Sequence, residues 1–591
     1  MVLRAELVLG LAVIAVAVIA IASVLPLRLT RWRTLVAAVG CAVAGLAPLA
    51  LYPFIEPANA RGTAFWAWSA VGGPTIQASY RLDGLAAAGL AIGVLYGAAA
   101  LVATRVVSRS ALLRPALLLN AFVFIALVVT DDLVAVTVVL GALAANTIFI
   151  ALLVSPATSA ARVTPYLTAG VQVFIVASLL LTRFGGASFR FEDIAPTSVS
   201  PGVIAAASIG AALFAGLYPF VPWGYRGEES GERESLRGLL TMLTGVGATI
   251  VLLRVVGITR LDVSSLMLPG KIPVWLLEIA GIVGLFAAWR ASRRRPHAVR
   301  QLGVAVGVIA LLVLYPYLHW SHVVVIACLL TVAYAAAVSL ALPDQWPVTR
   351  YDVTLAAAWI GIACGTPTAV AGAIAVLLGG ALAALAEAFW MPPHRWYIAM
   401  LTSTTMIVGG ALGIAAGALE APDPVTVALA LVAILAVIAL ELIHVGRRLD
   451  VASAPTDLEV SATIVAFLTT MLLAILFAAP VLDALAGAFG RPLDRELATL
   501  TYSVSALAVV AAFLAVLAGA IRPMLPDLTP VGAWLERVVA VADPVPLAVR
   551  SFRALESAST AMSSVFGLFE RRAGVWLAVV LIVGVLAWAV R

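Results

Sequence analysis

Apolar runs of about 20 residues recur from one end of this chain to the other, and a helix of that length crosses about 30 Å of hydrocarbon. Ala5–Leu27, Thr34–Phe54 and Gly84–Thr104 are the first three, and Gly574–Val590 is the last. At that length the chain has room for about sixteen spans (14–17). No water reaches the hydrocarbon layer, so backbone groups must pair within helices or within a closed barrel. The alternating pattern of barrel strands is absent from these runs. The sequence therefore predicts an all-α, polytopic membrane helix bundle. Composition agrees: 63% of the 591 residues are hydrophobic and 11% charged, against roughly 25% charged in soluble domains.

Arginine sets the predicted orientation. Arg28, Arg31 and Arg33 follow the first span, Arg105, Arg109 and Arg114 the third, Arg162 the fifth, and Arg290, Arg293, Arg294, Arg295 and Arg300 the ninth. The intervening loops are less basic, with Asp131-Asp132 after the fourth span and His319 and His322 near the tenth. Basic loops stay in the cytoplasm, which predicts a cell-membrane protein with its N-terminus outside. The net charge of +6 is read as these loops. Nucleic-acid binding would need a basic face or soluble module, and neither is present.

The organisation expected along the chain is N-terminal transmembrane helices over 1–110, a core over 111–415, C-terminal transmembrane helices over 416–521, and an amphipathic segment with a final span over 522–591. Pro523, Pro526, Pro530, Pro544 and Pro546 mark the last region, and Ala548–Phe569 within it is amphipathic. It is read as helix lying along the membrane surface or against the bundle. Arg226–Arg237 is a polar loop of mixed charge. Leu25-Pro26-Leu27-Arg28 stands where a signal-cleavage site would need small residues.

Five stretches, in order, resemble the antiporter-like membrane subunits shared by respiratory complex I (NADH-quinone oxidoreductase), Mrp-type cation/proton antiporters and membrane-bound hydrogenases. Tyr80-Arg81-Leu82-Asp83-Gly84-Leu85 looks like the family's Leu-Asp-Gly-Leu start of the third helix. Val163–Phe184 with Gly185-Gly186-Ala187-Ser188 resembles its small-residue helix and following loop. Leu217-Tyr218-Pro219-Phe220-Val221-Pro222-Trp223 resembles its Pro-Phe-His-x-Trp-Leu-Pro signature. Leu236–Arg254 resembles the next helix, which ends Leu-Leu-Arg, and Glu570–Trp576 the C-terminal anchor of some members. The resemblance implies an antiporter-subunit-like fold, a lipid-embedded chain beside other membrane subunits, including antiporter-like paralogues, and no cofactor of its own. It also implies a helix broken near Val163–Arg183 or in its neighbour.

The departures fall on the residues that move protons in that family. A glutamate of the fifth helix falls near Ala142, the lysine before the Pro-Phe signature on Phe214, the eighth-helix lysine near Val246, the signature histidine on Val221, and the lysine of Lys-Tyr-Phe on Pro165. Lys271 is the only lysine in the chain. Arginine does not replace it, because its pKa is too high for proton release.

Ionisable groups that remain in apolar surroundings are the candidates for an ion path: Glu278, Glu387, Glu441, His444 and Arg254. Glu278 and Glu387 fall near predicted helix ends, within reach of headgroups or water. Glu441 and His444, three residues apart, share a helix face. They could relay protons; beside Arg447 and Arg448, they also read as a pair snorkelling at a cytoplasmic helix end. Arg254 is expected to pair with an acid or a loop. His319 and His322 are expected at the interface. Cys41, Cys328 and Cys364 lie in separate apolar runs without metal-ligand spacing. There is no His-Glu-x-x-His, phosphate-binding glycine loop or nucleophile elbow, so neither a metal nor a cofactor is expected.

Three functions fit. The first is a divergent antiporter-like, proton/cation-translocating subunit of a larger complex, with a reduced ion path and a mainly structural role. It would not be catalytic by itself. The second is a stand-alone secondary transporter, for which Gly365-Thr366-Pro367-Thr368, interrupting an apolar run, would be a helix break. The third is a membrane transferase acting on lipid-linked substrates, for which Asp131-Asp132 is the candidate acidic motif, although two acids at a helix end fit a helix-junction role better.

Overall fold

The computed structural model describes residues 27–51, 66–69, 75–103, 112–154, 159–183, 188–218 except Glu192, 232–259, 319–341, 346–388 and 393–449, with Val18, Phe220, Trp534, Leu535 and Val539. Twelve α-helices lie among the described residues: α1 (Thr30–Leu51), α2 (Gly84–Ala103), α3 (Leu113–Val129), α4 (Leu133–Val154), α5 (Ser159–Arg183), α6 (Pro201–Ala215), α7 (Glu232–Ile258), α8 (Trp320–Ala341), α9 (Trp346–Cys364), α10 (Pro367–Ala388), α11 (Pro393–Leu419) and α12 (Pro424–Leu449). Six of them are long and apolar enough to cross a membrane. The first expected span apart from Val18 and Leu27, the last expected span, Lys271, Glu278 and the Arg290–Arg300 loop lie outside the described residues. The chain is a multi-pass membrane helix bundle. One short antiparallel hairpin, β1 (Trp66–Ser69) with β2 (Thr75–Ala78), stands between α1 and α2, with Trp66 opposite Ala78.

Burial sorts the helices. The apolar span of α7, Gly238–Ile258, is buried throughout, whereas less than half of the spans of α4, α5 and α12 is. Val138, Leu179 and Leu435 point outward on those three helices, as suits a surface facing lipid or a neighbouring subunit. With no hydrophobic drive between helices in lipid, close packing needs small residues. Gly372 of α10 and Gly410 of α11 supply them: a Cβ on either would stand 2.6–2.7 Å from the other's carbonyl oxygen.

The order of polar contacts gives each helix its direction. Asp83 before α2, the Val128 carbonyl in the last turn of α3, Asp132 before α4 and Arg254 near the end of α7 meet at one end of the bundle. Ser321 and His322 at the start of α8 meet Thr426 and Asp423 at the start of α12. Leu355 packs on Gly245 and Trp359 bonds Thr249, so α9 runs parallel to α7. The opposite end carries Arg350, at the start of α9, and Glu441, late in α12.

Helix starts follow their sequence signals. Asp132 Oδ1 accepts from the N–H groups of Val134 and Ala135 at 2.9 Å each, and Asp83 Oδ1 from Ala86 at 2.8 Å. Thr366 before Pro367 and Asp423 before Pro424 pair a capping side chain with a proline that needs no N–H partner. α5 is continuous, with Pro165 near its start. In its neighbour, α6 ends at Gly216, whose φ of 67° suits glycine; the stretch 221–231, where a broken helix would resume, lies outside the described residues. Gly365, at φ 68°, ends α9. A Cβ on Gly361 would meet the Ala369 carbonyl at 2.6 Å, so the chain reverses there into a helical hairpin; the Gly365–Thr368 interruption is a turn rather than a broken span. In the C-terminal region, Val539 is buried against Tyr334 and Val338 of α8.

Candidate functional site

The two expected lysine positions are apolar and closed. Phe214 on α6 is 1% exposed and Val246 on α7 is fully buried. Phe214 and Phe174 of α5 form a reciprocal lock. A Cβ on Gly170 would strike the Phe214 ring at 2.7 Å, and one on Gly210 the Phe174 ring at 2.9 Å. Each phenylalanine therefore fills the notch left by a glycine on the facing helix. The rings themselves sit 6.3 Å apart and tilted, a favourable aromatic arrangement. Near the expected glutamate position, Asn146 of α4 donates to the Ala116 carbonyl at 2.9 Å and to Asn120 Oδ1 at 3.2 Å. This ties α4 to α3 with neutral amides, which carry no exchangeable charge.

At the Asp83 end, buried charges pair. Arg254 reaches both Asp83 oxygens, Nη1 to Oδ2 at 3.0 Å and Nη2 to Oδ1 at 3.3 Å, and donates to the Val128 carbonyl at 2.9 Å. Arg81 approaches Asp83 from the other side at 3.0 Å. Burial alone would push the Asp83 carboxyl up; the Arg254 and Arg81 charges and the Ala86 N–H overcome it and hold the group below its ordinary value. Arg254 thus pairs with an acid, as expected. Arg190 pairs with Asp131 at 3.5 Å, and backbone hydrogen bonds join Asp131 to Ser79 and Phe191. With Asp132 capping α4, both acids of the expected transferase motif knit loops together.

Near the same end, at the start of α8, His322 is buried within the protein. Its Nε2 lies 2.5 Å from Asp423 Oδ2, while Nδ1 accepts the His319 backbone N–H at 3.3 Å. This pattern places the ring proton on Nε2. The Thr426 hydroxyl and N–H also reach Asp423 Oδ2. Burial would raise the Asp423 carboxyl, but these hydrogen bonds and His322 hold it well below the usual carboxylate range.

At the opposite end, Glu441 corrects the snorkelling expectation. It is fully buried, and Oε1 accepts from Arg350 Nε at 2.9 Å. Arg350, 1% exposed, donates through Nη2 to Ser403 Oγ and Thr404 Oγ1 of α11 at 3.1 Å each. One guanidinium thus ties α9 to both α11 and α12. His444 lies one turn beyond Glu441 on α12, and Glu387 is the penultimate residue of α10. Of the expected path residues, the structure brings neither Arg254 to Glu441 nor both to one axis: they belong to opposite ends. Arg350 and Asp352 were not anticipated. The signal was present, as two charges inside Thr349–Cys364, an otherwise apolar helical run.

No protein-family sequence model matches the chain, and no curated protein is similar to it in sequence. Solved structures are similar in fold. A chain of the Mrp complex from Dietzia sp. DQ12-45-1b superposes with a TM-score of 0.64 at 16% identity, over 99% of this chain and 63% of that one. This protein therefore spans less than two thirds of that relative's length. A chain of respiratory complex I from Thermus thermophilus gives a TM-score of 0.54 at 15% identity, over 82% of this chain and 99% of that one. A chain of the membrane-bound sulfane sulfur reductase, an archaeal respiratory membrane complex, gives 0.52 at 12% identity, covering 84% and 99%. The chain has the fold of the antiporter-like subunits of such membrane complexes.

Proposed function

We propose that this chain is a divergent antiporter-like subunit of a complex I-, Mrp- or hydrogenase-like assembly in the cell membrane, lacking the family's lysine relay and serving mainly as structure. Its partners are other membrane subunits, antiporter-like paralogues among them, and its N-terminus faces outside. The observation that carries this reading is the Phe174–Phe214 lock. A relay needs groups that gain and lose a proton at accessible cost, and burial can tune a lysine to do so. The position that resembles the relay lysine instead holds an aromatic ring fitted into a glycine notch, and Val246, near the next such position, is apolar and fully buried. The buried Arg254 and Arg350 are engaged by Asp83 and Glu441, and arginine does not release protons.

Extraction from native membranes in mild detergent, followed by identification of co-purifying chains, tests the assembly. Antiporter-like paralogues should accompany this subunit; a chain that purifies alone and transports in liposomes would favour the stand-alone transporter. Proton pumping by the intact complex tests the reduced path. Glu278→Gln and Glu387→Gln should each leave it within about threefold of wild type, under ~0.7 kcal/mol of barrier. Glu441→Gln should do the same per assembled complex. A loss of pumping with assembly intact would contradict the reading.

A further inference from the structure

Asp352 of α9 is 3% exposed, and among the described residues no hydrogen bond or ion pair reaches its carboxyl. The nearest arginine in sequence does not serve it. Residues two apart on a helix point to opposite sides, and Arg350 is drawn toward Glu441, Ser403 and Thr404. Asp352 instead shares a face with Leu355 and Trp359, three and seven residues on. Both pack on α7: Leu355 against Gly245, and Trp359 Nε1 donating to Thr249 Oγ1 at 2.9 Å. Four residues along α9 match four along α7, so Asp352 stands beside the α7 turn that carries Thr241 and Thr244. The Thr244 hydroxyl is already given to the Leu240 carbonyl at 2.9 Å.

A carboxylate in such a seam needs a compensating cation. A hard metal ion would require a shell of several oxygen ligands. Among the described residues no three acidic, histidine or cysteine side chains stand together to begin one. A proton needs no shell. We propose that the Asp352 carboxyl is a proton-binding site between α7 and α9, loaded and discharged from the Arg350 end. By helix rise, Asp352 lies about 9 Å from the start of α9 and about 18 Å from its end, and buried apolar Phe214 and Val246 stand where the family's relay lysines would. The site takes up one proton to become the neutral acid and returns it to the same side, without through-transport. This rests on the reading of the chain as a membrane subunit without a lysine relay.

Infrared difference spectroscopy of the full chain in lipid nanodiscs tests it. At neutral pH the wild type should show a protonated-carboxyl band that shifts in heavy water and bleaches as the buffer is made alkaline. Asp352→Asn should lose that band, and Asp352→Glu should retain it at a shifted frequency. The proposal is overturned if Asp352→Asn keeps the band, if that variant loses an ionised-carboxylate band instead, or if sodium chloride at fixed pH removes the band. Should Asp352→Asn not assemble, carboxyl-13C aspartate labelling of the wild type decides: a protonated band that does not move overturns the assignment. Pumping is not the readout, so the reduced-path reading and this site fail separately.

Discussion

Two buried arginine–carboxylate pairs hold opposite ends of this bundle, and they are built differently. Arg254 meets Asp83 with two nitrogens on two oxygens, at helix ends where Arg81 and backbone groups complete the set. Arg350 meets Glu441 through one bond, inside the helices, and among the described residues Glu441 Oε2 has no hydrogen-bond partner. A bidentate pair beside loops has alternatives when one member is lost, because the Val128 carbonyl remains for Arg254 and Arg81 for Asp83. A single-bonded pair sealed between helices keeps only neutral partners, Ser403 and Thr404 for Arg350 among them, and removing one member leaves an uncompensated charge. The second pair should therefore be the more brittle.

The largest expected effect follows from that. Glu441→Ala or Arg350→Met should destabilise the folded chain by about 3–5 kcal/mol, read as a lowered melting temperature in nanodiscs by tryptophan fluorescence. The double variant Arg350→Met/Glu441→Leu should recover most of the loss, since apolar groups of similar volume replace a buried pair at little cost. Equal losses from single and double variants would show that Ser403 and Thr404, rather than Glu441, are what Arg350 serves.

Asp83→Asn should cost less, about 2 kcal/mol, the scale of one charge-assisted hydrogen bond. The asparagine keeps the cap on Ala86, and Arg254 keeps the Val128 carbonyl. Arg254→Lys should lose nearly as much, because an ammonium cannot span both Asp83 oxygens. A cost equal to that of Glu441→Ala would erase the contrast between the two ends.

A packing site without charge sets the scale for both pairs. Gly170→Ala pushes a methyl into the Phe214 ring, 2.7 Å from its nearest carbon. Overpacking costs about 1–3 kcal/mol, offset by about 1 kcal/mol of helix propensity, for a net loss of ~1 kcal/mol. Stabilisation instead would mean the phenylalanine lock yields easily, weakening the argument that it closes the route.

How much of this was legible depends on where the partners sit in sequence. Leu82-Asp83-Gly84 advertises a helix start, and an arginine closing an apolar run points to an acid, so the Asp83–Arg254 end could be anticipated in kind. The bundle was legible because span length is set by bilayer thickness. Arg350–Glu441 was not: 91 residues separate the partners, while His444, Arg447 and Arg448 offered nearer ones. Local spacing therefore suggested a surface pair where the fold makes a buried one. Asp131-Asp132 was legible in part, because a helix-junction role fits two acids at a helix end and Asp132 does cap α4. The loop contacts of Asp131 with Arg190 and Ser79 were not legible, since no local pattern links those residues to it.

The smallest effect separates charge from hydrogen bonding at the loop before α12. Asp423→Asn preserves a good N-cap and removes only the charge, worth ~0.5 kcal/mol beside a helix N-terminus. His322 and the Thr426 groups hold the folded Asp423 below the usual carboxylate range. A depressed folded value means the unfolded chain takes up the proton first as the medium is acidified. The charge-dependent stability should thus be fully present above the unfolded value of about 3.9. It should shrink as pH falls below that and vanish once the folded carboxyl also protonates. Melting curves of wild type and Asp423→Asn should stay separated from neutral pH down to about 4 and converge only in stronger acid. Convergence at a milder pH, or a separation that never closes, would assign the loop's stability to the Thr426 hydrogen bonds and not to the Asp423 charge.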